Sequence, residues 1–379
     1  MIRRMIEEKI DKYIEDRDNT NILFIWGPRR SGKTTILEYY GKKMDLPVFN
    51  FDISTDREKF KNDVDWLKKI VGDLKVILID EVQNYPESTK ILKIIHDVLK
   101  IKIIATGSSE LRKKAGKDFD TLAGRFEEYY CLPLSLGETK ENDNPKEINI
   151  QEWSREQLAK TLSFGWYPEV METTGETEKV KKLENLVEAY VLKDIVNFYD
   201  LQSAELAKKV LMMVALQLGQ EVSYREIASS LQSSPATIAN YLDIFCRNYI
   251  LVELPSFKLN TRKSVSEARK IYFMDLGIRN ALVSDFRELD KRPDLGGLFE
   301  NWVVVEVEKV RRNCDKLWKQ YFYREYGGRE VDLVVESYKK EYFSWEIKWI
   351  EKKAADIFPL EHRFEMINSR NAVEKILEL

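Results

Sequence analysis

Apolar positions fall in two rhythms along this chain. Through roughly the first 135 residues, short β-branched and aromatic runs alternate with segments of helical period, the pattern of a parallel sheet wrapped by helices. The expected strands are Ile22–Trp26, Pro47–Phe51, Lys75–Asp80, Lys102–Thr106 and Glu128–Leu132. Before them, Ile2, Met5, Ile6, Ile10, Tyr13 and Ile14 share one face of a surface helix within Met1–Asp16. Thr55 with Glu58 reads as a capping box for a further helix. Gly137–Ile150 is polar and turn-rich and reads as a connector. Beyond it, Leu183, Leu186, Val187, Tyr190, Val191, Ile195 and Phe198 mark the apolar face of a long helix. Phe164–Glu169 interrupts the helical pattern and reads as a packed turn with buried aromatics, the alternative being a binding element.

From Ala204 the order becomes helix, short helix, turn, helix, strand. Ser223 and Glu226 form a capping box, Ser234 caps a helix whose first residue is Pro235, and Tyr249–Leu254 is the strand. That order predicts a winged helix-turn-helix. The last stretch gives a strand at Lys270–Asp275 and a helix opening at Gly296. Strands follow at Tyr321–Arg324, Glu330–Glu336 and Tyr342–Trp349. With 379 residues, two or three domains are expected. The pattern divides the chain at 1–137, 138–203, 204–269 and 270–379.

The first strand runs into Gly27-Pro28-Arg29-Arg30-Ser31-Gly32-Lys33-Thr34-Thr35, a complete GxxxxGK[ST] phosphate loop. Its glycines let successive N–H groups turn toward a phosphate, Lys33 spans the terminal phosphates, and the Thr34 hydroxyl is a ligand for Mg²⁺. The helix that follows presents its positive end to the same anion. ATP and Mg²⁺ are therefore the expected ligands. The strand Lys75–Asp80 leads into Asp80-Glu81, where Asp80 holds the metal and Glu81 polarises the attacking water. Thr106-Gly107-Ser108-Ser109 offers Ser108 or Ser109 as a sensor of the terminal phosphate, or an ordinary capped turn. Arg125 is a candidate catalytic guanidinium toward the nucleotide of its own chain or toward that of a neighbouring copy in an oligomer, the alternative being neither.

Composition narrows the rest. At 44% hydrophobic and 33% charged residues, the chain is neither disordered nor collagen-like. No apolar run approaches a membrane span, and the start lacks a signal-peptide core, so a cytoplasmic protein without membrane contact is expected. Three scattered cysteines (Cys131, Cys246, Cys314) and two histidines argue against a disulfide framework, a zinc cluster or histidine catalysis. The net charge of −3 means that DNA or RNA contact has to come from a local patch. Phe257–Lys270 supplies one, with Lys258, Arg262, Lys263, Arg269 and Lys270 against Glu267. The helix Pro235–Arg247 carries only Asp243 and Arg247 as charges, so docking of a protein partner is the rival expectation. In the C-terminal strands Glu346 and Lys348 share a face, and with Asp332 they could cradle Mg²⁺ for phosphodiester hydrolysis. Glu300 or Glu306 could add a further acid; the alternative is an outward-facing strand surface.

Taken in order, these landmarks resemble the archaeal-type AAA ATPase family. The resemblance rests on Gly27–Thr35, Asp80-Glu81 with Gln83, Thr106–Ser109, Leu122–Arg125 and Tyr167–Glu169. It continues through Lys270–Gly277, Gly297–Trp302, Arg329–Val334 and Glu346–Lys348. It implies an α/β chain made of an AAA-like P-loop NTPase parallel sheet, a helical lid, a winged helix-turn-helix and a C-terminal restriction-endonuclease-like α/β domain. It also implies that Pro47–Phe51 is a strand inserted between the phosphate loop and the Asp-Glu strand. The PD-(D/E)xK nuclease pattern then falls on Glu300, Asp332, Glu346 and Lys348, with Val331 where that pattern has proline.

Overall fold

The computed structural model describes residues 2–107, 122–195, 199, 201, 203–259, 269–351 and 356–379. It is a mixed α/β protein of two compact units, Met1–Leu132 and Pro133–Leu379.

The first unit is built on five parallel strands: β1 (Ile22–Trp26), β2 (Val48–Asn50), β3 (Val76–Asp80), β4 (Lys102–Gly107) and β5 (Phe126–Tyr130). Their order is β2-β3-β4-β1-β5, so β4 lies between β1 and β3 although it follows both in the chain. All five residues of β1 and of β3 are buried, as continuous apolar runs in a doubly covered parallel sheet should be. Helices Ile6–Glu15 and Lys33–Met44 cover one face, and Ile6, Ile10, Ile36 and Leu37 pack with Leu23 and Leu78 there. Each such side chain stabilises the fold by about 1.5–3 kcal/mol. One expectation fails locally: the helix Ser54–Lys59 starts after Ile53 with no side-chain cap, so Thr55 and Glu58 do not form a capping box.

The second unit starts with a helix where a connector was expected. Leu136–Asp143 is helical because Ser135 and Glu138 form a reciprocal capping box and Leu136 is fully buried, which polar composition alone concealed. Helices Ile150–Phe164, Glu176–Leu186 and Ala204–Leu216 follow. Two more, Tyr224–Ser230 and Pro235–Arg247, are capped by Ser223 and Ser234. Strands β6 (Leu251–Pro255) and β7 (Arg269–Phe273) pair antiparallel, Leu251 opposite Phe273, so a domain boundary at 269/270 would cut a two-stranded sheet.

Asp275 then caps the helix Leu276–Val283 through the Ile278 N–H at 3.1 Å and accepts the Trp166 N–H at 2.5 Å. Trp166 and Tyr167 are buried, so the interruption at Phe164–Glu169 is a packed turn, tied to the segment after β7. After the long helix Leu295–Asn313 comes a sheet of β8 (Lys319–Arg324), β9 (Glu330–Glu336), β10 (Tyr342–Ile347) and β11 (Arg363–Ile367), in the order β11-β10-β9-β8. β11 pairs parallel to β10 and was not foreseen, because Arg-Phe-Glu-Met-Ile lacks an apolar run. No described helix is long and apolar enough to cross a membrane.

Asp275→Ala removes a helix cap and strands a buried N–H, so it should destabilise the second unit by about 2–4 kcal/mol. Urea unfolding followed by tryptophan fluorescence should show this as a lower midpoint; an unchanged midpoint would mean the carboxylate is not a structural tie.

Candidate functional site: the phosphate loop and a carboxylate centre

In the first unit the strand order brings the ends of β1, β3 and β4 to one edge of the sheet. The phosphate loop leaves β1 there. Gly27 is required by space, since a Cβ would lie 2.0 Å from the Cys131 carbonyl oxygen. Gly32 has φ +104°, which lets the backbone turn into the helix Lys33–Met44. The Lys33 ammonium donates to the Gly27 and Pro28 carbonyls at 2.9 and 2.8 Å, so it lies along the loop it serves. The Ser31 hydroxyl bonds the Pro28 carbonyl at 2.9 Å. Arg4 was not foreseen: it is buried and donates to the Ser31 and Leu132 carbonyls, each at 2.6 Å, bracing the loop from behind. Nothing in the local pattern around Arg4 announces that role.

Thr34 and Asp80, 46 residues apart, meet through a 2.8 Å hydrogen bond. The other oxygen of Asp80 accepts from the Thr106 hydroxyl, and burial raises the Asp80 pKa above the ordinary carboxylate range despite both hydroxyls. The next residue, Glu81, adopts a left-handed conformation, φ 54° and ψ 46°. Its N–H reaches the Thr106 hydroxyl at 3.3 Å and its carboxylate accepts the Gln83 amide. Thus the residues expected to hold phosphate, metal and water converge: Gly27, Pro28, Ser31, Gly32, Lys33, Thr34, Asp80 and Glu81. Arg29, Arg30 and Thr35 belong to the same loop and first helical turn. Ser108 and Ser109 lie outside the described residues.

Arg125 requires a correction. It precedes β5, whose Phe126 is level with Ile22 at the start of β1, whereas the phosphate loop follows Trp26. At about 3.3 Å per residue its backbone is roughly 20 Å from the loop, at the opposite edge of the sheet. Its guanidinium is engaged by Asp97 at 2.9 and 3.1 Å and holds that carboxyl down at about 2. A catalytic role toward the nucleotide of its own chain is excluded by that position.

Comparison with known proteins agrees with the geometry. Residues 19–140 match a family described as AAA domain. The first unit is an AAA-type P-loop domain. Residues 155–290 and 295–373 match two families described as domains of unknown function, DUF8612 and DUF4143. An uncharacterized protein of Methanocaldococcus jannaschii is 29% identical over 313 residues, covering 73% of this chain but only 65% of that protein. An uncharacterized protein of Haemophilus influenzae is 23% identical, covering 98% of this chain and 90% of that one. Among solved structures, the Thermotoga maritima RuvB Holliday junction branch migration motor aligns at 15% identity and TM-score 0.31, covering 65% and 88% of the two chains. The Aeropyrum pernix ORC1 protein in complex with DNA aligns at 14% and TM-score 0.30, covering 74% and 92%.

Outside the AAA domain, a second charged centre lies in the unit Pro133–Leu379. Oxygens of Glu300, Glu330 and Asp332 approach within 4.8 Å of one another. Lys348 joins Asp332 and Glu346, each at 2.8 Å, and Asp332 also accepts the Ile347 N–H at 2.7 Å. So Asp332, Glu346, Lys348 and Glu300 do gather, whereas Glu306 is elsewhere, pairing with Lys309 at 2.8 Å. Two members escaped the sequence: Glu330, two residues before Asp332 on the same face of β9, and Lys270 of β7. Lys270 was expected on a basic surface but is fully buried, bonding Glu300 at 2.8 Å and Glu330 more closely. Lys270 stands at the border between Ser-Glu-Ala-Arg and the apolar run Ile271–Met274, so the local pattern does not separate a buried lysine from a surface one. Burial works against the charge of Lys270, yet Glu300, Glu330 and Asp332 together raise its pKa; burial lifts Glu300 to about 7. Arg269 is likewise engaged, 2.9 Å from Glu253 and against the Tyr224 ring. Arg262, Lys263 and Glu267 lie outside the described residues.

Because Arg125 is at the far edge of the sheet, Arg125→Ala should leave the affinity of isolated chains for Mg-nucleotide within about twofold. Calorimetric titration checks this, and a loss of about tenfold or more, roughly 1.4 kcal/mol, would place the guanidinium at the nucleotide.

Proposed function

We propose that the chain is a Mg²⁺-dependent ATPase in which nucleotide binding and hydrolysis at the AAA domain switch the state of the second unit. The observation that carries this reading is the Thr34–Asp80 contact, which joins the two expected metal-holding side chains at the mouth of the loop. When bound, Mg²⁺ would screen the phosphate oxygens and draw charge from the breaking bond. Lys33 contributes a second positive charge, already directed along the loop by two carbonyls. The N-terminus of Lys33–Met44 adds backbone N–H groups and a favourable dipole. Glu81, oriented by Gln83, accepts a proton from the attacking water and holds that water in line.

What the second unit handles is the finer question. The helix-turn-helix order supports nucleic acid, yet the ion pairs of Lys270 and Arg269 remove two of the five cations expected to meet phosphates. In the helix Pro235–Arg247, Tyr241 is buried, while Asp243 and Arg247 pair with each other at 2.9 Å. These pairings favour a second reading, an ATP-gated switch that docks a protein partner. If duplex DNA binds through the remaining Lys258, Arg262 and Lys263, its log–log salt slope should be no steeper than about −2.7. Gel-shift titration over a salt series measures it; a slope near −4.5 would return Arg269 and Lys270 to the interface.

For the ATPase itself, Lys33→Ala should abolish Mg-ATP binding in calorimetry. Glu81→Gln should bind normally but lose turnover by about 10²–10⁴-fold, the usual worth of a general base. Equal phosphate release by wild type and both variants would refute the assignment.

A further inference from the structure

The centre formed by Glu300, Glu330, Asp332 and Glu346 has the carboxylates that a metal-dependent nuclease needs, but its interior already holds a cation. We propose that the Lys270 ammonium is the resident cation of this centre, and that the centre is consequently a structural ion cluster that does not take up Mg²⁺.

Three observations carry the argument. The first is position. Lys270 contacts two of the three acids whose oxygens converge, Glu300 at 2.8 Å and Glu330 more closely. A divalent ion bound by the same oxygens would need ligand distances of about 2.0–2.6 Å and would occupy the volume of the ammonium.

The second is confinement. The Lys270 side chain is 1% exposed, its ammonium lies 5.5 Å from the Phe322 ring, and its backbone is locked into β7 opposite Leu254. A surface lysine can swing aside when a metal arrives. This one would have to carry its charge through apolar packing.

The third is satisfaction. Glu300 takes a second donor, the Tyr272 hydroxyl at 2.6 Å. Glu330 is also bound by Arg324 at 2.6 Å, and Lys348 serves both Asp332 and Glu346. Every carboxylate of the centre therefore has a cation from the chain itself. The centre draws on both segments of unknown function, with Lys270 and Tyr272 in residues 155–290 and the acids in residues 295–373. Its role is to fix β7 against the helix Leu295–Asn313 and against β9, which no metal is needed to do.

This proposal is independent of the ATPase reading, and its test is metal binding by the full chain without nucleotide, in a Lys33→Ala background. Mn²⁺ titration followed by electron paramagnetic resonance should show no uptake tighter than millimolar that depends on Asp332. Micromolar uptake lost in Asp332→Asn would overturn the proposal. In Lys270→Met the cage loses its own cation, so the second unit should melt lower in EDTA and recover at least part of the loss in millimolar Mn²⁺. A Lys270→Met protein that melts like its parent would also overturn it. If Lys270→Met fails to accumulate, Lys270→Met/Glu300→Gln removes one charge of each sign. It should fold and still take up Mn²⁺ more tightly than the parent; uptake no tighter than the parent would count against the proposal.

Discussion

The contact between Thr34 and Asp80 is the constraint on which the functional site depends. One residue begins the helix after the phosphate loop and the other ends β3, and β4 separates their strands in the sheet. They can meet only because all three strands run parallel and finish at the same edge. Thr106, at the end of β4, closes the arrangement by bonding the second oxygen of Asp80. A buried carboxylate with two hydroxyl donors costs less to ionise than an isolated one, yet burial still raises its pKa. A dication is the natural partner for such a group. The fold therefore stores at this edge a negative charge suited to metal, beside a lysine and a helix N-terminus suited to phosphate.

The second unit solves a different problem with similar chemistry. Its segments are joined by buried polar groups as well as by apolar packing. Asp275 ties the turn at Trp166 to a helix start, Lys309 pairs with Glu306, and Lys270 bridges Glu300 and Glu330. Such pairs contribute little net stability compared with apolar packing, but each has one geometry in which its charges are satisfied. A register error in β7 or β9 would leave a charge buried alone. The motifs Lys270–Gly277 and Gly297–Trp302 thus mark places where the architecture is specified, whatever chemistry the unit performs.

Legibility in the sequence followed the range of the interactions. The phosphate loop and Asp80-Glu81 are local patterns, and the apolar runs around them identify their strands. Their meeting could be expected because parallel strands share a finishing edge. Asp332, Glu346 and Lys348 were visible through strand alternation. Glu330 shares that alternation with Asp332, but its importance depends on Lys270, some 60 residues earlier, and no local pattern shows which strand lies opposite β9. Lys270 was misread as surface because its neighbours Arg262, Lys263 and Arg269 are basic. The same limit applies to Arg125, which has the composition of a catalytic arginine and the location of an ion pair with Asp97. The helix Leu136–Asp143 hid in polar composition, its only local signal being Ser135 followed by Glu138.

The central claim is that Asp80 and Thr34 together make nucleotide binding depend on a metal ion. Titrating ATP into the intact chain with and without Mg²⁺, for wild type and for Asp80→Asn, tests it directly. The account predicts that Mg²⁺ strengthens wild-type binding by about tenfold or more, roughly 1.4 kcal/mol, and that Asp80→Asn loses most of this gain. Binding that is indifferent to Mg²⁺, or an Asp80→Asn protein with the full metal effect, would contradict it.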